Sequence, residues 1–172
     1  MPKLSARVLL VFLTLSTHAG ALEQIYENPG VFVTDALGAL PQPKLLWLTK
    51  TAQAEIAGIL GHAPTQLRQR YWSDGIKSVW VLDEIGKEEP ITAGFVITNG
   101  RIDHVRVLVY RESRGSEVRY PSFLRQFKEA TLTSGARLSQ SIDGISGATL
   151  SVSALERLAR VALYLDRLSR QP

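Results

Sequence analysis

Apolar and polar positions alternate most clearly between residues 67 and 110. Arg70-Tyr71-Trp72 runs into the turn residues Ser73-Asp74-Gly75, and an apolar-rich stretch, Ile76 to Ile85, follows. Gly86-Lys87-Glu88-Glu89-Pro90 marks a second turn, and Ile91 to Thr98 reads as another strand. Asn99-Gly100 is a strong two-residue hairpin signal. Arg101 to Tyr110 then places Ile102, Val105, Val107 and Val109 among polar neighbours. The pattern predicts an antiparallel meander of three or four strands. No glycine-rich loop follows a strand here, so a doubly wound dinucleotide fold has no support.

Helical spacing governs the flanks. Thr51 caps an expected helix starting near Ala52, with Ile56, Ile59 and Leu60 on one face and Gly61-His62-Ala63-Pro64 as its end. Residues 22–43 read as an irregular lead-in, with turns near Asn28-Pro29-Gly30 and Pro41-Gln42-Pro43. Pro121-Ser122 opens a short helix carrying Phe123, Leu124 and Phe127, best explained as core residues. A long C-terminal helix is expected from Leu155, Leu158, Ala162 and Leu165, with Arg157, Arg160 and Arg167 on its other side. Ser153-Ala154-Leu155-Glu156 has the form of a capping box and predicts a start at Ser153. Together these give an α+β fold: an antiparallel meander packed with helices.

The 172 residues suffice for one domain with a real core. Met1 to Arg7 carries Lys3 and Arg7 without an acid; Val8 to Leu15 is a short, mainly apolar run; Ala19-Gly20-Ala21 is a small-residue site. This is the layout of a secretory signal peptide over residues 1–21, and the run is too short for a stable membrane anchor. Residues 22–66 are then an N-terminal lead-in with one helix, and residues 67–168 the main domain. Export places the protein in the periplasm, in possible association with the inner membrane. Losing Lys3 and Arg7 leaves 18 basic against 16 acidic residues, a near balance that does not suit a nucleic-acid binder.

The chain has no cysteine, which excludes disulfides, iron–sulfur clusters and thiolate metal sites. His18, His62 and His104 are scattered, so no metal site is expected. His62 reads as a residue at a helix end, and His104 as a strand residue that either faces solvent beside Asp103 or hydrogen-bonds near a bound cofactor. Any redox role requires an acquired cofactor.

One segment offers a place for it. Asp143-Gly144-Ile145-Ser146-Gly147-Ala148-Thr149 puts a single threonine hydroxyl in a run of small residues that opens onto a helix. Glycines let another molecule approach the backbone closely, and a helix N-terminus favours phosphate. An ordinary turn with an N-cap has a similar composition. The seven residues resemble the flavinylation motif, roughly D-G-x-S-G-A-T, of the FMN-binding domain family. That domain occurs as part of the sodium-translocating NADH:quinone oxidoreductase, as part of the Rnf complex, and in small exported proteins.

The resemblance implies FMN joined through its phosphate to Thr149, by a separate FAD-consuming FMN transferase that uses magnesium. Asp143, Gly144, Ser146, Gly147 and Ala148 would form the recognition frame. The family's Glu-Thr-Pro-Gly loop corresponds to Arg111–Glu117, where only Glu112 and Gly115 agree. Glu112 is the flavin contact that the resemblance implies there. The loop is either a solvated connection, a wall of the flavin site or a docking edge. Trp72, Trp80, Tyr110 and Tyr120 are candidates to stack or gate electrons. The implied function is electron relay between a membrane donor and an envelope acceptor. A free-standing periplasmic flavin reductase and a non-redox envelope binding module are the alternatives; no nicotinamide site or acid–base pair stands out for the former.

Overall fold

A computed structural model describes residues 23–171. The expected signal segment, residues 1–21, lies outside the described residues. Six strands form one antiparallel sheet: β1 (Gln24–Ile25), β2 (Lys44–Trp47), β3 (Arg68–Ser73), β4 (Lys77–Ile85), β5 (Pro90–Thr98) and β6 (Arg101–Tyr110). The order β1-β6-β5-β4-β3-β2 is a meander closed at one edge by the N-terminal strand. The fold is α+β, as the pattern predicts. Asn99 and Gly100 both have positive φ, 52° and 73°, as a two-residue hairpin turn requires.

Two layers of helix cover the sheet. α1 (Pro29–Leu37) lies where an irregular lead-in was expected. Asn28 accepts the Gly30 N–H at 2.8 Å and Pro29 occupies the first turn, so the turn-forming triplet is a helix start. α1 packs Phe32 and Val33 onto Val79, Val96 and Leu108. This approach depends on Gly94, because a Cβ there would come within 2.3 Å of the Phe32 ring.

The opposite face carries the larger core. α2 (Lys50–Leu60) is capped by Thr49 rather than Thr51: the Thr49 hydroxyl accepts from the Ala52 N–H at 3.2 Å. α3 (Pro121–Leu124) runs into a short 3-10 turn, and Phe123, Leu124 and Phe127 are buried, as expected. α4 (Thr149–Ser169) buries Leu155, Leu158, Ala162 and Leu165 against β4 to β6 and α2. Each fully buried leucine contributes about 1.5–3 kcal/mol. None of the described helices is long and apolar enough to cross a membrane.

The start of α4 departs from the expected one. Ser153 is not its cap. Ala148 stands at the N-cap position with no side-chain capping bond, and the helix begins at Thr149. The amphipathic period carries the helix one turn past Ser153, because Val152 packs into the core and its N–H finds the Ala148 carbonyl at 3.0 Å.

Candidate functional site

The segment Asp143–Thr149 is a backbone-built platform. Ile142 and Ile145 pack against the core and fix its underside. Its entry is stitched to the turn after α3: the Asp143 N–H donates to Gln126 Oε1 at 2.7 Å, and Gln140 Nε2 donates to the Lys128 carbonyl at 3.2 Å. A tight turn follows, closed by the Ala148 N–H donating to the Ile145 carbonyl at 2.9 Å. Its third residue, Gly147, has φ 82°, which accounts for glycine there. Ala148 is buried beneath the helix start, while Asp143, Gly144, Ser146, Gly147 and Thr149 are exposed.

Thr149 is therefore the first residue of α4, with its side chain at the surface. The opening of α4 presents N–H groups that no side chain caps, together with the positive end of a 21-residue helix. The first turn can bind an anion, and the hydroxyl beside it can take a phosphoester. Gly144 lacks a positive φ, and a Cβ on it would meet nothing within 4 Å. The bare fold does not require glycine there; close approach by another group does explain it.

The Arg111–Glu117 loop is the wall behind this platform. Gly115, at φ 87°, lies so close to it that a Cβ would sit 2.8 Å from Ser151 Oγ, 3.0 Å from the Tyr110 hydroxyl and 3.3 Å from Ala148 Cβ. Tyr110 is buried; its hydroxyl donates to the Arg114 carbonyl and lies 2.9 Å from Ser151 Oγ. Burial raises the Tyr110 pKa, against the hydrogen bond from Ser151. Tyr110, Gly115, Ala148 and Ser151 thus lock the loop onto the first turn of α4.

Glu112 turns the other way. Its buried carboxylate accepts from the backbone N–H groups of Lys87, Glu88 (2.7 Å) and Glu89 (3.0 Å). Burial works against its charge, but these amides outweigh it and hold the pKa below the ordinary glutamate value. Its hydrogen-bond partners all lie in the β4–β5 turn, none in the 143–149 segment. Trp80 is fully buried, stacked on Tyr71 at 4.6 Å between ring centres, and Tyr120 flanks Arg119 at the surface. Neither is hydrogen-bonded to the platform. His104 lies beside Phe32, with ring centres 6.2 Å apart, and burial with the nearby Arg106 lowers its pKa.

A cleft of about 690 Å³ opens along α4, lined by Ser153, Arg157 and Arg160 and, across it, by Arg137, Gln140 and Ser141. Ser153 lies one turn beyond Thr149 on the same helix face. The arginines were legible as a basic helix face. Their convergence with the 133–141 loop was not, because that loop has no periodicity to place it. Gln126 and Ser151 carried no sequence signal at all; their roles come from tertiary contact.

Residues 86–164 match the family model described as the FMN-binding domain. Neither the curated proteins nor the solved structures yielded a match. The matched region runs from the β4–β5 turn through β5, β6 and the 143–149 platform into α4, and so contains every element that builds the site. Residues 86–164 are thus similar to the FMN-binding domain, and the match supports a flavin-binding protein.

Proposed function

We propose that FMN is carried covalently on Thr149, through a phosphoester between the flavin phosphate and the threonine hydroxyl, and that the protein relays electrons in the cell envelope. The observation that carries this reading is the position of Thr149: an exposed hydroxyl on the first residue of a helix whose opening amides no side chain caps. The residues present suit the group. Thr149 supplies the ester oxygen, and the first turn of α4 faces the phosphate. Gly144 and Gly147 leave the approach open, and Gly115, Tyr110 and Ser151 hold the turn rigid. The cleft beside Ser153 gives room for the ring system, and in its lining Arg137, Arg157 and Arg160 stand with Glu156, Arg157 being paired with Glu84.

When bound, the flavin accepts and releases one or two electrons. The chain's own residues position it and shape its electrostatics. A tether is valuable outside the cytoplasm, where no dependable pool of free FMN exists to rebind. The attachment is made by a separate FAD:protein FMN transferase. Electrons then pass between a membrane donor and a membrane or periplasmic acceptor. The N-terminal segment directs export to the periplasm.

The test is the intact mass of the exported protein made together with the transferase. The expected gain is FMN less one water, mapped to the peptide that holds Thr149. Thr149→Ala is expected to give folded, colourless protein. Covalent flavin retained on that variant would remove Thr149 from the mechanism.

A further inference from the structure

α1 covers only part of its side of the sheet. It rests on β4 and β5, while among the described residues β2 and all of β3 but Trp72, at the far edge, have no helix over them. The register pairs Leu45 with Arg70 and Trp47 with Arg68, so these four residues share the uncovered face. Leu45 is 51% exposed and Trp47 66% exposed, unusual for side chains of this size on a strand. The Arg68 guanidinium lies 5.8 Å from the centre of the Trp47 ring.

The charge on this face is mainly positive: Arg68 and Arg70 stand on it, and Asp83, which shares the side of β4 that carries Val79 and Val81, is the exposed acid beside them. Leu45, Trp47, Arg68 and Arg70 line none of the four clefts found among the described residues. Protein partners gain most of their affinity by filling pockets with anchors. A flat face of tryptophan and leucine set among arginines is instead suited to a lipid interface, where an amphipathic ring sits among headgroups and cations meet anionic lipid. Pairing of β2 with an added strand is opposed by its brevity, by Pro41 and Pro43 just before it, and by Lys44 on the edge.

We propose that the β2–β3 face is a docking surface for an anionic lipid bilayer, with Trp47 and Leu45 entering the headgroup region and Arg68 and Arg70 neutralising lipid phosphates. The inference is independent of flavin attachment and stands or falls separately from it. Docking here would hold the domain at the membrane by its own surface.

Tryptophan emission of the full chain, mixed with vesicles of brominated phospholipid, tests this directly. Trp80 is fully buried and Trp72 is part-buried, so the measurement is made in a Trp72→Phe background, where contact quenching reports chiefly on Trp47. With about one third phosphatidylglycerol in phosphatidylcholine at low salt, quenching is expected, and it should vanish in Trp47→Ser. Arg68→Gln with Arg70→Gln should weaken the apparent vesicle affinity about tenfold or more, as should about 0.5 M salt on the unaltered chain. Insertion of the N-terminal apolar segment alone would bind vesicles without quenching Trp47, and would overturn the proposal. So would quenching indifferent to both arginines. Vesicle-free burial of Trp47 that rises with protein concentration would overturn it by assigning the face to a second copy. A response to soluble polyglutamate but not to vesicles would overturn it by assigning the face to an acidic protein.

Discussion

The first turn of α4 and the rest of the same helix are built on opposite plans. The first turn is made of small residues and backbone groups, and Thr149 stands exposed on it without a cap beneath. Further along, buried polar side chains clamp the helix to the sheet. Arg157 Nη2 meets Glu84 Oε1 at 3.0 Å, where Glu84 is only 4% exposed. Asp166 is fully buried; it accepts from Ser78 Oγ at 2.6 Å and from Arg170 Nε at 3.0 Å, and Ser78 Oγ in turn accepts from Trp80 Nε1 at 2.8 Å. The helix is thus held from its middle and its end. Its beginning is released from stabilising duty and is free to receive a ligand.

Asp166→Ala should show the largest effect. It leaves the Ser78 hydroxyl without its acceptor inside the core, while the exposed Arg170 can turn to water. A loss of about 3 kcal/mol is expected from the buried donor left unsatisfied and the charged hydrogen bonds lost. Urea unfolding monitored by circular dichroism measures it. The fraction that remains folded should still accept flavin, since the clamp and the platform serve different ends of the helix.

Gly115→Ala comes next and strikes where the two plans meet. It imposes a left-handed backbone on a residue with a Cβ, and that Cβ collides with Ser151 Oγ and the Tyr110 hydroxyl. The conformation costs about 1–2 kcal/mol and the overpacking a further 1–3 kcal/mol. Flavin loading should fall with stability, because relief of the clash moves the first turn of α4. Loading preserved at full level would show that the wall and the platform are independent.

The difference in plan also explains what could be read in advance. The strands from 77 to 110 were legible because β4 and β5 are apolar runs bounded by turn residues, β5 being buried on both faces, while β6 partly alternates, and Asn99-Gly100 marked the hairpin between β5 and β6. The long helix was legible in Leu155, Leu158, Ala162 and Leu165. Its first residue was not. Ser153 offered a capping box, and Ala148 offers no cap at all, so local chemistry pointed one turn too late. Only the burial of Val152 and Ser151 against the sheet side reveals the true start. The Asp143–Thr149 segment stood out in sequence as a motif, but the wall behind it did not. Gly115, Tyr110 and Ser151 are far apart in the chain and meet only through tertiary packing. α1 was missed for a related reason: Asn28-Pro29-Gly30 signals a turn and a helix start equally well.

Glu84→Gln should have an intermediate effect. Besides Arg157, Glu84 meets His62 Nε2 at 3.2 Å. The His62 pKa is raised, first by its hydrogen bond to the Ala63 carbonyl and then by that to Glu84. A raised histidine pKa stabilises the fold fully below the unfolded value, near 6.5, and the benefit is lost as pH rises through the folded value. The urea midpoint of the unaltered chain should therefore drop slightly across that interval. His62 is half exposed, so the step is small. Glu84→Gln should cost about 1–3 kcal/mol at neutral pH and flatten part of the step. A step of unchanged size would place its origin at the Ala63 carbonyl instead.

Thr149→Ala should have the smallest effect on stability and the largest on chemistry. The side chain is exposed, it caps no amide of the helix it begins, and alanine is the better helix former. The unfolding free energy of the flavin-free protein should shift by no more than about 0.5 kcal/mol. Covalent flavin should be lost altogether. A destabilisation above about 1 kcal/mol would mean that the hydroxyl holds the first turn in the bare fold. The platform would then be an ordinary capped helix start, and the contrast between the beginning of α4 and its clamped remainder would disappear.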